Sequence, residues 1–335
     1  MSDRPCDARA LCSFVARQQH EDPIGSVPKE RRFLAVEVAP PWERRIERSK
    51  GFPIGLHEIV KPVRKRLLLR TLGLLPDPDY TEAGRTRVMW LSLPSGPAVG
   101  CDVLEYVVPP EDVVPLVAAL LGDPDGLARF ETDRRDTEKT RDFFICTHGR
   151  RDACCGKFGY PLYQTLRRDL APRSPERLRV WRVSHFGGHE YAPTLIDFPE
   201  GRYWGHLDSD ALEPLITRTG PGAALQRYYR GWLGLATPFE QAAERAIFAL
   251  EGWAWRGYAK SGRIVTAGNP GDPVEVEIDF ASPDGSRSGT YRALVALDQG
   301  AGAGSADGQS ASAGQTQYRV TRLRQFEARS AATPA

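Results

Sequence analysis

Apolar runs and amphipathic stretches alternate along the first part of the chain. The run RFLAVEVA at 32–39 predicts a buried strand, HEIVKPVRKRLLLRTLG at 57–73 a basic helix, and TRVMWLSLP at 86–94 a second strand. The segment VVPLVAALLGDPDG at 113–126 has the apolar spacing and the closing glycine of a helix that ends in a turn. Strands that alternate with helices are typical of layered proteins, so we expect the α/β fold class.

The second part repeats this alternation. The run DFFICTHG at 142–149 predicts a buried strand that ends in a loop, and YPLYQTLRRDLA at 160–171 predicts a helix with Pro161 in its first turn. The next strand is LRVWRVSHFGG at 178–188, and a strand pair and a closing helix follow in APTLIDFPEGRYWGHLDSDALEPLITR at 192–218. The order βαβ followed by ββα is the thioredoxin-like arrangement.

The last part has the pattern of a small α+β unit. FEQAAERAIFALEGW predicts a helix, and VEVEIDF, TYRALVAL and YRVTRLRQF alternate like amphipathic strands. The Gly/Ala/Ser-rich insert 299–315 cannot build a core, so it predicts a disordered loop. We therefore expect two thioredoxin-like halves, at 1–130 and 139–225, followed by a small C-terminal α+β domain at 236–327.

Composition and charge exclude several classes of protein. Forty-five basic residues against 43 acidic ones give a formal net charge of +2, too little for wrapping a nucleic acid. The amino terminus MSDRPCDARALCSF lacks the apolar stretch of a signal peptide, and no long apolar run predicts a membrane span. We expect a cytoplasmic protein with no nucleic-acid or membrane partner. Six cysteines in a chain of 335 residues are too sparse for a disulfide scaffold, and in a reducing compartment they indicate metal or redox chemistry.

Two pairs of metal-ligating side chains follow two of the predicted strands. Cys146 and Cys155 bracket one loop, and His185 and His189 stand in HFGGH at the end of a later strand. Two loops at one edge of a small sheet are well placed to hold a metal centre between them. These four residues are therefore the candidate metal and cofactor ligands, and the sequence marks no catalytic residue.

Three neighbours of these ligands are candidates for a supporting role. Gly187 and Gly188 have no Cβ, so their backbone can approach a bulky inorganic core and offer N–H groups to its sulfides. His148 lies two residues beyond Cys146 and is a candidate to hydrogen-bond around the centre. A loop histidine that faces water is the other interpretation of His148.

The four ligands admit three interpretations. Two thiolates on one iron and two neutral imidazoles on the other form the Rieske ligand set of a 2Fe-2S cluster, which favours an electron-transfer protein. Zinc accepts the same donors, so a structural zinc site of an interaction module is an alternative, although zinc cysteines usually have about two to four residues between them. A thioredoxin-like thiol–disulfide redox protein is the third interpretation, with Cys146 paired to Cys154 or Cys155, but the chain has no C-x-x-C motif.

The motifs CTHGRRDACCG, HFGGHEYAP and YWGHLD resemble the sucrase/ferredoxin-like family. This family includes the fungal actin-patch-distribution proteins and is related to the thioredoxin-like 2Fe-2S ferredoxins, and the resemblance covers roughly residues 10 to 220. It implies one 2Fe-2S cluster bound by a C-x8-C pair and an H-x3-H pair, which match Cys146, Cys155, His185 and His189. Because the second cysteine precedes a glycine in the family motif, the resemblance selects Cys155, with Cys154 as the alternative.

These observations predict a redox carrier rather than a catalyst with its own substrate. The cluster lies in the ferredoxin domain 139–225, and the half 1–130 has no matching cysteine and histidine pairs, so it is a candidate platform for docking a partner. The chain also lacks a G-x-G-x-x-G fingerprint after a strand. We therefore expect an external redox partner protein, a reductase or an acceptor. The basic run from Lys61 to Arg70 is a candidate contact for an acidic partner.

Overall fold

A computed structural model of the protein describes residues 11–123, 125–266, 271–298 and 317–327, and the predicted disordered insert 299–315 lies outside the described residues. The first half contains helices α1 (Cys12–Gln18), α2 (Leu56–Val60) and α3 (Val113–Gly122) and strands β1 (Arg32–Glu37), β2 (Leu69–Leu74), β3 (Thr86–Ser92), β4 (Asp102–Val108) and β5 (Arg134–Arg135). The second half contains helices α4 (Ala153–Gln164) and α5 (Ser209–Thr217) and strands β6 (Thr140–Cys146), β7 (Arg177–Val183), β8 (Leu195–Phe198), β9 (Arg202–Trp204) and β10 (Tyr229–Trp232). The C-terminal unit contains helix α6 (Pro238–Glu251) and strands β11 (Ala259–Thr266), β12 (Val274–Ala281), β13 (Ser288–Asp298) and β14 (Gln317–Glu327).

The strands of both halves form one mixed sheet of ten strands in the order β10-β9-β8-β6-β7-β2-β1-β3-β4-β5. Each half contributes the same internal order. In the first half β1 is parallel to β2 and antiparallel to β3, and β3 is antiparallel to β4. In the second half β6 is parallel to β7 and antiparallel to β8, and β8 is antiparallel to β9. The chain thus repeats one strand arrangement within a continuous sheet.

The two halves meet in the middle of this sheet. The strands β2 and β7 pair antiparallel through Leu74 and Val183, and Val183 also pairs with Cys146 at the end of β6. The carboxyl ends of β6, β7 and β2 therefore meet, and because β2 and β7 run in opposite directions, the segment that follows β7 runs back along β2. The candidate ligands that follow β6 and β7 therefore lie at the junction between the halves.

The C-terminal unit is a separate antiparallel sheet in the order β11-β12-β13-β14. Helix α6 packs against it, and its first turn is a capping box in which the Thr237 hydroxyl accepts from the Glu240 N–H and the Glu240 carboxylate accepts from the Thr237 N–H. The α/β fold class and the C-terminal α+β unit are confirmed at this level. The thioredoxin-like character of the halves and the predicted domain boundaries stay predictions.

Three local predictions are wrong. The segment 57–73 is not one helix, because α2 ends before Pro62, Leu68 adopts a positive φ of 49°, and β2 follows as a central strand. The strand β4 is absent from the predicted elements. Helix α4 begins well before residue 160, because the Asp152 carboxylate accepts the Cys154 N–H at 2.9 Å and caps the helix there. Pro161 consequently lies near the end of α4, followed by a π turn at Thr165–Leu170.

The apolar faces of the large sheet are covered on both sides. One buried cluster joins β6, β8, α5 and α6 to the C-terminal sheet, a second lies under the candidate site, and a third fills the first half. Among the described residues, no helix is long and apolar enough to cross a membrane.

Candidate metal centre

Cys146 is delivered by the last residue of a strand whose seven residues are all buried. The Cys146 N–H donates to the Thr194 carbonyl at 3.3 Å, and the next N–H, of Thr147, donates to the Val183 carbonyl at 3.2 Å. These bonds to the neighbouring strands hold the Cys146 side chain in place at the edge of the sheet.

Cys155 reaches the same place from the first turn of α4. Helix α4 lies very close to the end of β6 at Gly159, where a Cβ would lie 2.0 Å from the Cys146 carbonyl oxygen. A second close approach joins Gly156 to Gly149 in the preceding loop, because a Cβ on Gly156 would lie 2.8 Å from the Gly149 Cα. Only glycine allows this packing, which brings the start of the helix against the strand.

The structure brings together three of the four predicted ligands. The Nδ1 atom of His185 lies 3.7 Å from the Sγ of Cys146 and 3.5 Å from the Sγ of Cys155. All three donor atoms lie within 4.8 Å of one another. Both cysteines are 1% exposed and His185 is half-buried. The group is therefore able to share one metal ion.

The two buried thiols interact strongly. Burial raises the pKa of Cys146, but hydrogen bonds from Cys155 and His185 outweigh it and bring that pKa well below its ordinary value. The hydrogen bond to Cys146, together with burial, raises the pKa of Cys155. One thiolate is thus stabilised beside one thiol, and a thiolate is the form that binds metal.

Cys154 points away from this group. It packs in a separate apolar cluster with Leu11 and Ala192, and it is 2% exposed. Burial raises the pKa of its thiol, which opposes formation of a thiolate there. Cys155, and not Cys154, is therefore the cysteine of α4 that lies beside Cys146.

His189 lies near the group without joining it. Its ring centroid is 6.0 Å from that of His185, and its side chain is 39% exposed. Its Nε2 lies 3.6 Å from the Asp152 carboxylate and its Nδ1 lies 3.4 Å from the Glu190 carboxylate. In this arrangement the nitrogen atoms of His189 face carboxylates rather than the two sulfur atoms.

The predicted supporting glycines shape the histidine loop around an arginine. Gly187 and Gly188 have φ angles of 98° and 76°, in the left-handed region that favours glycine. A Cβ on Gly188 would lie 2.3 Å from the guanidinium of the buried Arg230. That guanidinium donates to the Gly187 carbonyl at 3.2 Å and to the Ser26 carbonyl at 2.8 Å. Arg230 is thus a site residue that the sequence prediction lacks, and no local motif marks it.

His148 links the site to the first half of the chain. It is buried, its Nε2 lies 2.9 Å from the Glu43 carbonyl, and its Nδ1 accepts the His185 N–H at 3.4 Å. The Trp42 ring contacts it edge-on, with centroids 5.4 Å apart. Burial lowers the pKa of His148 below its ordinary value. His148 therefore supports the His185 backbone and does not face water.

Comparisons with known proteins cover most of both halves of the chain. The family described as sucrase/ferredoxin-like matches residues 23–231. Three curated yeast relatives carry the name "Altered inheritance of mitochondria protein 32": that of Meyerozyma guilliermondii is 28% identical over 94 residues, that of Debaryomyces hansenii 30% over 93, and that of Clavispora lusitaniae 32% over 91. The matches cover 27%, 26% and 26% of this chain and 33%, 34% and 33% of the relatives, so the chain spans about a third of their length. No solved structure matches.

Proposed function

This chain belongs to the sucrase/ferredoxin-like family, and from that premise we propose that it is an electron-transfer protein with one 2Fe-2S cluster. The observation that carries the proposal is the convergence of Cys146, Cys155 and His185 on one buried point. His189, four residues after His185 on the same loop, is the fourth ligand of the proposal.

The three donors that converge fit the proposed group in chemistry, and His189 is the fourth donor that the proposal adds. Metal ligands must be deprotonated, and the lowered pKa of Cys146 supplies one thiolate before any metal binds. Two thiols and an imidazole within 4.8 Å of one another need little rearrangement to act together. Such a cluster supplies reversible one-electron chemistry, at a potential that imidazole ligands raise relative to thiolates.

The protein's own residues hold and shield this point. Strand β6 and the start of α4 fix the two cysteines under cover from water, which limits their oxidation. Arg230 fixes the glycine pair of the histidine loop, and His148 fixes the His185 backbone through its hydrogen bond. The half-buried His185 connects the buried cysteines to the protein surface.

The repeated strand order supports the thioredoxin-like interpretation of both halves. The orders β2-β1-β3-β4 and β7-β6-β8-β9 each place two parallel strands beside two antiparallel ones, with a helix between the parallel strands. The proposal also includes an external redox partner protein. The cytoplasmic location stays a prediction.

The spectrum of anaerobically purified protein, supplied with iron and sulfide, tests the proposal. We expect visible absorption bands, two irons and two sulfides per chain, as one 2Fe-2S cluster requires, and a paramagnetic signal on reduction. Cys155→Ser should abolish the signal. The matched Cys154→Ser variant should retain it, because Cys154 packs among apolar side chains away from the proposed ligands. A colourless protein that holds stoichiometric zinc would support the structural zinc site, and one that forms a reversible Cys146–Cys155 disulfide without metal would support thiol–disulfide chemistry.

His189→Cys tests the fourth ligand separately. A third thiolate adds negative charge to the site, so we expect the cluster to remain with a lower reduction potential and an altered paramagnetic spectrum. An unchanged spectrum and potential would exclude His189 from the ligand set and leave the three-residue group.

A further inference from the structure

A basic cleft lies beside the candidate metal centre. It has a volume of about 830 Å³ and runs between the first half of the chain and the loop that carries His185. His148, Ser184 and His185 form one end of its lining. The cations of its wall other than Arg70 are Lys29, Arg44, Arg45, Lys61, Arg64, Lys65 and Arg151.

The charge of this cleft is strongly positive and largely uncompensated. Eight of its lining residues are Lys or Arg and two are Glu, which gives the lining a formal net charge of +6. The whole chain has a formal net charge of only +2. Arg70 pairs with Glu30 at 2.7 Å. No described carboxylate lies within ion-pair distance of the other seven cations, all of which are exposed. A concentration of like charge without counterions favours a negatively charged ligand.

The cleft is also the positively charged route by which a partner reaches the candidate metal centre. Both cysteines are buried, so an outside group approaches through an exposed edge of a histidine. The His189 side is flanked by the carboxylates of Asp152 and Glu190, which repel an anion. The His185 side opens into the cleft, where Arg70 donates to the His185 carbonyl at 3.4 Å. An anionic partner is therefore directed to His185.

Apolar side chains near the cations indicate a protein rather than a small anion. Leu68 lines the cleft and is 44% exposed. Ile54 lies in the sequence between Phe52 and His57, which line the cleft, and is 98% exposed. Protein interfaces combine apolar anchors with a charged rim, whereas a small anion gains nothing from them.

We propose that the basic cleft docks the acidic face of a one-electron redox protein beside His185. The proposal rests on the function proposed above. On docking, one electron leaves the reduced partner and enters the oxidised protein, or the reverse, and no bond forms or breaks. The first half of the chain thus supplies most of the docking surface for a centre whose ligands belong to the second half.

The test measures binding of oxidised flavodoxin, an acidic flavoprotein, to the full chain by biolayer interferometry. We expect binding at about 0.01 M salt that weakens at about 0.15 M, because the Debye length falls from about 30 Å to about 8 Å. The double variant Arg64→Glu/Lys65→Glu should weaken binding by about tenfold or more. Its matched control, Arg322→Glu/Arg324→Glu, reverses two exposed charges on β14 and should leave binding unchanged. Equal effects of the two variants would overturn the proposal.

A second arm separates a protein partner from a small anion. Ile54→Ser/Leu68→Ser should weaken flavodoxin binding and leave the affinity for inorganic pyrophosphate unchanged. Full flavodoxin affinity in this variant would overturn the assignment to a protein. The visible spectrum of the same samples separates the two proposals: docking without a cluster signal contradicts the proposed function, whereas a cluster signal without salt-dependent docking contradicts the cleft.

Discussion

Lys260 makes the stability of this fold depend on pH. It lies on β11 and is 1% exposed, with its ammonium donating to the Trp255 carbonyl at 3.1 Å and the Tyr258 carbonyl at 2.8 Å. The Trp232 ring lies beneath it, 4.6 Å from the nitrogen. Burial, and then the nearby Arg202, lower the pKa of Lys260 from 10.5 to about 7.

The sign of the effect follows from the proton each state holds. Between about pH 7 and pH 10.5 the unfolded chain keeps the proton on Lys260 while the folded chain releases it. The free energy of unfolding therefore rises with pH across this window, by about 1.4 kcal/mol per pH unit where the two states differ by one proton. Falling pH removes this stability, and the loss is complete below about pH 7. From pH 7 to pH 9 the contribution is about 2 kcal/mol.

Urea unfolding at pH 7, 8 and 9 of the wild type and Lys260→Met measures this contribution. Methionine has a similar length and no proton to release, so its loss of the two hydrogen bonds costs about 1–3 kcal/mol at every pH. The stability of the wild type minus that of the variant should rise by about 2 kcal/mol from pH 7 to pH 9. Titration of Cys101, whose pKa burial raises to about 12, is common to both proteins and cancels. A difference that stays constant with pH would refute the reasoning.

Two further substitutions test the packing of the second half. Gly159→Ala places a Cβ against the Cys146 carbonyl, so we expect a loss of about 1–3 kcal/mol by urea unfolding together with weaker metal binding, whereas Gly122→Ala, in open space, should cost nothing. Asp197→Ala leaves the buried Arg141 without the carboxylate that accepts its bonds at 2.6 and 2.9 Å, and we expect a loss of about 3–5 kcal/mol in the same assay; a loss below about 1 kcal/mol would contradict this account.

The sequence was sufficient for most elements of the second half because each apolar run there ends at a distinct turn signal. The sequence did not predict the start of α4, because the apolar periodicity begins only near Tyr160 whereas the residue that caps the helix is Asp152. That error also hid the difference between Cys154 and Cys155. Adjacent residues on a helix point about 100° apart, so one thiol meets β6 and the other meets Leu11.

The contacts that hold the histidine loop could not be predicted, because they join distant parts of the chain. Arg230 lies 43 residues from Gly187, and Glu43 lies 105 residues from His148. Neither contact has a spacing or a motif that a single sequence reveals. The predicted His185 and His189 pair was visible only as a motif, and the different partners of the two rings depend on Asp152 and on the cysteines.

The two halves repeat one strand order but carry different side chains at their matching edges, and the candidate metal ligands lie in the second half. Because β2 and β7 are antiparallel, each half covers the functional edge of the other: the segment around Glu43 reaches His148, and the π turn after α4 places Arg167 against the first half. At the edge of the first half, Asp77 follows β2 as His185 follows β7, and it accepts from Arg167 at 3.1 Å and from Tyr163 at 3.2 Å. A carboxylate held by an arginine and a tyrosine already has its partners and has no thiol beside it. The first half therefore closes its own edge with polar contacts and leaves its other end to form the wall of the basic cleft.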